Sequence, residues 1–135
     1  MSLSGLRTYT VLVVDDVAAY RRLIRAVLED SNVFEVIGEA ADGFQAIRLA
    51  QETQPDLVLL DLSMPQMDGL ETLPQLLEVS SHSKVVVLSG FSHERMGRVT
   101  LERGASAYLQ KGLTPEELVR ELLKVMASEV PQGGE

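Results

Sequence analysis

The sequence of 135 residues contains no cysteine, which excludes disulfide bonds, thiolate zinc sites and a cysteine nucleophile. It also lacks a long apolar run, and no stretch approaches the roughly 20 residues that a membrane-spanning helix needs. Positive charge is scarce: 12 lysine and arginine residues face 20 aspartate and glutamate residues, for a formal net charge of −8. Because such a surface repels nucleic acid phosphates, we do not expect this segment to bind DNA directly. The lack of a long apolar run predicts no membrane association, and together with the absence of cysteine it leads us to expect a cytoplasmic protein.

The length is that of a single domain. Short apolar runs alternate with longer amphipathic stretches, which predicts five strand–helix units. We expect the folded domain to span residues 9–127, after an N-terminal extension at 1–8. The segment 128–135 has one proline, two glycines and no apolar periodicity, as is typical of a linker or a disordered tail.

Three of the apolar runs, at 10–14, 57–60 and 84–88, are continuous rather than alternating. Continuous runs are typical of parallel strands that helices cover on both faces. The run at 34–40 is more polar, which predicts an edge strand.

Apolar residues also recur at helical spacing between the strands. In the first helix, the residues expected to face the core are Leu23, Ile24, Val27 and Leu28. The third helix, at about 70–79, contains Pro74, which lacks a backbone donor and is expected to start or bend that helix. The last helix is predicted to open at Thr114, with Glu117 completing a capping box. The fourth helix, at about 92–102, is weakly amphipathic and is expected to be the least firmly held; its inward residues would be Met96, Val99 and Leu101.

Polar side chains follow four of the strands at the point where each one ends. Asp15 and Asp16 follow the first strand, Asp61 the third, Ser89 the fourth and Lys111 the fifth. The carboxyl ends of parallel strands meet at one edge of a sheet, where open α/β sheets bind their ligands. The sequence therefore predicts one polar site at this edge.

The chemistry of these side chains indicates a metal ion and a phosphoryl group. Two like charges about 5 Å apart cost roughly 3 kcal/mol at an effective dielectric constant of 20, so three clustered carboxylates favour a bound cation. Carboxylate ligands without histidine or cysteine favour Mg²⁺ or a similar ion such as Mn²⁺. Lys111 and Ser89 would donate to phosphoryl oxygens, which leaves a carboxylate on the central strand free to form an aspartyl phosphate.

Together these residues resemble the receiver domain of two-component response regulators. The resemblance rests on Asp15-Asp16, the segment DLSMPQMDG at 61–69, Ser89-Gly90 and Lys111, in this order, and it covers about residues 9–127. It implies a doubly wound (βα)₅ three-layer sandwich of the flavodoxin-like class, with a parallel five-stranded sheet in the order 2-1-3-4-5.

The resemblance also implies a role for each matched residue. Asp61 would be the phosphoacceptor. Asp15, Asp16, Asp61 and the backbone carbonyl of Ser63 would bind the metal ion.

In the same resemblance, Ser89 would be the switch hydroxyl, Lys111 the lysine that pairs with the phosphate, and Tyr108 the aromatic switch residue that turns inward on phosphorylation. Pro65 and Gly69 would shape the loop after the acceptor.

One departure from the family pattern follows the lysine. Gly112 stands where many receivers have a proline, so the cis peptide common there is not expected, because a non-proline cis bond costs about 2.5 to 4 kcal/mol.

The function that the resemblance implies is signalling rather than enzymatic turnover. A sensor histidine kinase or a phosphotransfer protein would donate the phosphoryl group, and the domain would support its own phosphotransfer and autodephosphorylation. The face formed by the fourth helix, fifth strand and fifth helix would bind a partner or a second copy. By family analogy, a helix-turn-helix output domain for transcription is the leading expectation for a longer protein.

Three alternatives stay open at this point. A haloacid-dehalogenase-type phosphatase would need an aspartate two residues after its nucleophile, where Ser63 stands. A flavin-binding domain would place a phosphate beside Asp15 and Asp16, which would repel it. A receiver-like interaction module that is never phosphorylated would have no need of the whole set of polar groups.

Overall fold

The computed structural model describes residues 8–64, 66–90 and 93–128, without the side chains of 93–95. Within these ranges five strands alternate with five helices. Their bounds are β1 Tyr9–Val14, α1 Ala18–Asp30, β2 Phe34–Ala40, α2 Gly43–Thr53, β3 Leu57–Leu60, α3 Gly69–Val79, β4 Lys84–Ser89, α4 His93–Glu102, β5 Ala107–Gln110 and α5 Pro115–Ala127. The strands form one parallel sheet in the order β2-β1-β3-β4-β5. The predicted α/β class, strand order and edge position of β2 are confirmed.

The core lies in two layers, one on each face of the sheet, because side chains alternate along each strand. Leu12, Val58 and Leu60 pack on one face with α2 and α3. Val11 and Leu59 pack on the other face with α1 and α5. Both faces of the central strands are therefore buried, which explains their continuous apolar runs.

Strand register brings the carboxyl ends of β1 and β3 side by side. Val14 pairs with Leu60, and the backbone N–H of Asp61 donates to the carbonyl of Val14 at 3.0 Å. Asp61 thus leaves the sheet directly beside Asp15, at the edge where the sequence predicts the polar site.

Side chains fix several helix ends. Thr114 and Glu117 form the predicted capping box of α5, with Pro115 as its first residue. At the other end of α5, Lys84 Nζ donates to the carbonyl of Val125 at 2.8 Å and also to that of Ser128. These contacts join the C-terminal end of α5 to the first residue of β4.

Pro74 lies inside α3 and does not start the helix. The helix begins at Gly69 because Asp68 and Glu71 form a capping box there, and that signal was missed in the sequence. Pro74 cannot donate to the carbonyl of Leu70, four residues earlier. Arg103 Nη1 donates to this carbonyl instead, at 3.3 Å.

Two residues predicted to face inward are exposed. Leu23 is 55% exposed and Leu101 is 46% exposed. The inward face of α1 centres on Ile24 and Leu28, and Leu23 lies about 100° away from Ile24 around the helix. Among the described residues of α4, Thr100 is buried instead, and its hydroxyl donates to a backbone carbonyl one turn earlier.

Among the helices described, none combines the length and apolar character needed to cross a membrane.

Candidate functional site

Three aspartates lie together at the carboxyl edge of the sheet. Asp15 follows β1 and is 2% exposed, Asp61 follows β3 and is 5% exposed, and Asp16 is exposed. One carboxylate oxygen from each residue lies within 4.8 Å of the other two. The residues predicted to form an acidic cluster are therefore brought together.

Lys111 reaches into this cluster from the end of β5. Its Nζ lies 2.8 Å from Asp15 Oδ2 and 3.6 Å from Asp61 Oδ1. The backbone of Lys111 is held beside the end of β4, because the N–H of Lys111 donates to the carbonyl of Ser89 at 2.7 Å. None of the described residues has a cis peptide bond, and Gly112 has a φ of +110°. Proline is restricted to a φ near −65° and could not adopt this backbone, whereas glycine can.

The surroundings of Asp61 and Lys111 raise the pKa of both side chains. Burial raises the pKa of Asp61 to about 6, and the charge of Asp15 adds to the rise, while Lys111 and a hydrogen bond from the backbone N–H of Ser63 act against it. For Lys111, burial acts to lower the pKa, but its hydrogen bond to Asp15 and the charge of Asp61 outweigh burial and raise it. At neutral pH the site therefore holds an ionised, poorly solvated Asp61 beside a fixed ammonium, as a nucleophilic carboxylate requires.

The three carboxylates fit a hard divalent cation. Their oxygen atoms lie within 4.8 Å of one another, close enough for Asp15, Asp16 and Asp61 to hold one ion such as Mg²⁺, which is bound through carboxylate oxygens. Two of these carboxylates are buried, and a cation would relieve their repulsion. The carbonyl of Ser63 stays a predicted ligand from the loop directly after Asp61.

The β1–α1 loop that carries the acidic pair is fixed by hydrogen bonds. Asp15 Oδ1 accepts from the backbone N–H of Val17 at 2.9 Å, and Arg21 Nη1 donates to the backbone carbonyl of Asp15 at 2.6 Å. Arg21 Nε donates in turn to Glu39 Oε1 on β2 at 3.0 Å. The contact between Arg21 and Glu39 was not predicted from the sequence, because the two residues are 18 positions apart along the chain and belong to no motif.

The ring of Tyr20 forms one wall of the site. Lys111 Nζ lies 4.2 Å from the centre of this ring. Burial raises the pKa of Tyr20, while the charge of Lys111 acts in the opposite direction, so the phenol is neutral at physiological pH. Sequence reasoning also missed Tyr20. Its position in the first turn of a helix that starts beside the acidic pair was the available signal.

The loop after Asp61 depends on glycine at position 69. The N–H of Gly69 donates to the carbonyl of Leu62 at 2.9 Å. A Cβ atom on Gly69 would lie 2.5 Å from the carbonyl oxygen of Asp61 and 2.7 Å from Cα of Leu62, closer than real Cβ contacts allow. Pro65, the other residue predicted to shape this loop, lies outside the described residues.

The two predicted switch residues are both buried. Ser89 is the last residue of β4 and is fully buried. Tyr108 on β5 is 4% exposed and belongs to the apolar cluster that contains Met96 of α4. An inward turn of Tyr108 on phosphorylation therefore requires an outward state that differs from this structure.

Comparison with known proteins identifies the family of the chain. The sequence profile of the response regulator receiver domain matches residues 11–123. The nitrate/nitrite response regulator protein NarL of Escherichia coli (strain K12) is 41% identical over 121 residues, which cover 90% of this chain and 56% of that protein. The chain thus spans about half the length of this relative.

A shorter relative and a solved structure agree with this result. The chemotaxis protein CheY of Listeria monocytogenes is 34% identical over 114 residues, which cover 84% of this chain and 95% of that protein. The crystal structure of the response regulator domain of Thermotoga maritima CheB matches with a TM-score of 0.84 and 26% identity, over 92% of this chain and 100% of that one. The chain therefore belongs to the response regulator receiver domains of two-component signal transduction.

Proposed function

We propose that the chain is a phosphorylation switch in which Asp61 accepts a phosphoryl group from a histidine of a sensor kinase or a phosphotransfer protein. One observation carries the proposal: Asp61 is a buried carboxylate whose Oδ1 lies 3.6 Å from the ammonium of Lys111. The neighbouring Asp15 is already paired with Lys111 at 2.8 Å, and Asp16 is exposed. Asp61 is therefore the carboxylate best placed to act as the nucleophile.

In the proposed reaction, a carboxylate oxygen of Asp61 forms a bond to phosphorus. The P–N bond of the phosphohistidine breaks, its electron pair stays on the imidazole nitrogen, and the products are an acyl phosphate and a free histidine. Asp15, Asp16, Asp61 and the Ser63 carbonyl would hold Mg²⁺, which supplies positive charge to offset the charge on the phosphoryl oxygens. The backbone N–H of Ser63, which donates to the Asp61 carboxylate, helps to orient it.

Lys111 and Ser89 are proposed to bind the new phosphoryl oxygens. Phosphorylation adds charge and strong acceptors. Two or three charge-assisted hydrogen bonds contribute roughly 1.5 to 3 kcal/mol each. Their sum is comparable to the roughly 5.5 kcal/mol that reverses a 1:99 equilibrium, so these contacts are sufficient to drive a switch.

The proposed output is the surface formed by α4, β5 and α5. A change at Ser89 enters the segment that leads into α4, and Tyr108 on β5 lies in the same apolar cluster as Met96 of α4. We therefore expect Tyr108 to couple the movements of α4 and β5. In this structure its ring already lies inward. We propose that this surface binds a partner or a second copy, and that the domain signals without catalytic turnover of its own.

The test is phosphorylation with acetyl phosphate and Mg²⁺, followed by measurement of the intact mass. Wild type should gain one phosphoryl group and Asp61→Asn should gain none. Asp68→Asn is the matched control, because Asp68 is an exposed carboxylate in the same loop and asparagine caps a helix as well as aspartate does. Stoichiometric labelling of Asp61→Asn would refute the assignment of the acceptor. No labelling of wild type by acetyl phosphate or by a phosphohistidine donor would favour an interaction module that is never phosphorylated.

A further inference from the structure

The ammonium of Lys111 is surrounded by three groups from three different elements. Asp15 Oδ2 lies at 2.8 Å and Asp61 Oδ1 at 3.6 Å, and the ring of Tyr20 lies at 4.2 Å, measured to its centre. The two carboxylates belong to the acidic cluster. The aromatic ring has no part in the reaction described above.

A lysine needs support to hold its charge at one point, because four rotatable carbons connect the ammonium to the backbone. The residue after Lys111 is Gly112, which does little to restrict the backbone there. Tyr20 is more rigid. It lies in the first turn of α1, where its N–H donates to the carbonyl of Val17 at 3.0 Å, and its side chain is half-buried.

The ring can support the ammonium without competing for its hydrogen bonds. A cation within about 6 Å of the centre of an aromatic ring is attracted to the negative face of the ring. An ammonium has three donors, and contact with one face leaves donors free for oxygen. Asp15 cannot offer the same neutral support, because its charge would also be drawn to a cation in the acidic cluster.

We infer that Tyr20 is a positioning residue, whose ring keeps the Lys111 ammonium over the site while the lysine exchanges Asp15 for a phosphoryl oxygen. This role rests on the proposed phosphorylation of Asp61. It requires an aromatic ring at position 20 and does not require the phenol hydroxyl.

The requirement is tested with Tyr20→Phe, which keeps the ring, and Tyr20→Leu, which keeps apolar volume without it. The rate of phosphorylation by acetyl phosphate at saturating Mg²⁺ should stay within about twofold of wild type in Tyr20→Phe and fall about threefold to tenfold in Tyr20→Leu. Tyr9→Leu is the matched control. Tyr9 begins β1, at the end of the strand away from the site, and its ring packs at a tilt against that of Phe34, so its loss should leave the rate unchanged.

A second measurement follows the lysine directly. Protons held over an aromatic face are shifted upfield by the ring current. The ε-methylene protons of Lys111 should therefore be upfield in wild type and in Tyr20→Phe, and should return to ordinary lysine values in Tyr20→Leu. This signal is recorded without any phosphoryl donor, and thermal melting of each variant confirms that it is folded.

The possible results separate this inference from the proposed function. A wild-type rate in Tyr20→Leu, an equally slow Tyr20→Phe, or an upfield shift that survives in Tyr20→Leu would each overturn the role of the ring. If wild type itself gains no phosphoryl group at Asp61, the proposed function fails and the role in transfer fails with it. That case is recognised from the wild-type chain alone, before any variant of Tyr20 is compared.

Discussion

Asp61→Asn should stabilise the chain in metal-free buffer at pH 7. The wild-type carboxylate has a pKa of about 6 instead of its ordinary value of 3.8, a difference of about 2. At 1.36 kcal/mol for each pKa unit, this corresponds to about 3 kcal/mol of folding free energy that ionisation of Asp61 removes. Asparagine carries no charge and its side-chain oxygen can still accept from the N–H of Ser63, so the variant should recover much of this free energy.

The sign of the effect predicts how it depends on pH. The folded chain holds the Asp61 proton more tightly than the unfolded chain, so the contribution of Asp61 to wild-type stability is largest below about pH 4. It falls as the pH rises from about 4 to about 6 and is fully lost above that. The gain from Asp61→Asn should therefore be small near pH 3.5, grow through this window and reach its limit above pH 6.

The assay is thermal and urea unfolding of both proteins at pH 3.5, 5 and 7, with a chelator present and circular dichroism as the signal. A gain of about 3 kcal/mol should raise the melting temperature by about 10 °C. Asp68→Asn removes a solvent-exposed charge from the same loop and should change stability little at any of these pH values. An equal gain in stability at pH 3.5 and pH 7, or no gain at pH 7, would refute the idea that ionisation of the buried Asp61 carboxylate destabilises the fold.

Three further predictions concern the surroundings of Asp61. Asp16→Asn should weaken Mg²⁺ binding, measured by calorimetry, with a smaller change in stability than Asp61→Asn because Asp16 is exposed; unchanged Mg²⁺ affinity would remove Asp16 from the metal site. Arg21→Met should cost about 1 to 3 kcal/mol and also weaken Mg²⁺ binding, since it releases the Asp15 carbonyl, whereas Arg22→Met on the exposed side of α1 should do neither. Gly69→Ala should lower the free energy of unfolding by about 1 to 3 kcal/mol, because the new Cβ atom would clash with the Asp61 carbonyl. A variant with wild-type stability in urea unfolding would show that the loop has room for a side chain at position 69.

The fold and the outline of the site could be predicted because both depend on local patterns. Continuous apolar runs mark strands that are buried on both faces, and the residue after each run must emerge at the carboxyl edge. That rule alone places Asp15, Asp61 and Lys111 together, although Asp15 and Lys111 are 96 residues apart.

The remaining contacts could not be predicted because they depend on how helices rotate and pack. Apolar spacing suggested that Leu23 faces inward, yet the rotation of α1 leaves it exposed. The same rotation turns Tyr20 towards Lys111 and Arg21 towards the Asp15 carbonyl. Pro74 was likewise expected to start or bend α3. The Asp68 capping box sets the start of the helix before it, and Arg103 donates to the carbonyl that the proline leaves without a donor.

The contact of Lys84 with the end of α5 lies at the opposite end of β4 from the acidic cluster. Lys84 begins β4 and Ser89 ends it, a span of about 17 Å at roughly 3.3 Å for each residue. Two unit charges at a separation of this order interact with about 1 kcal/mol at an effective dielectric constant of 20. The added charge of an acyl phosphate therefore has only a small direct effect at Ser128, and a larger response there requires the displacement of whole helices and strands.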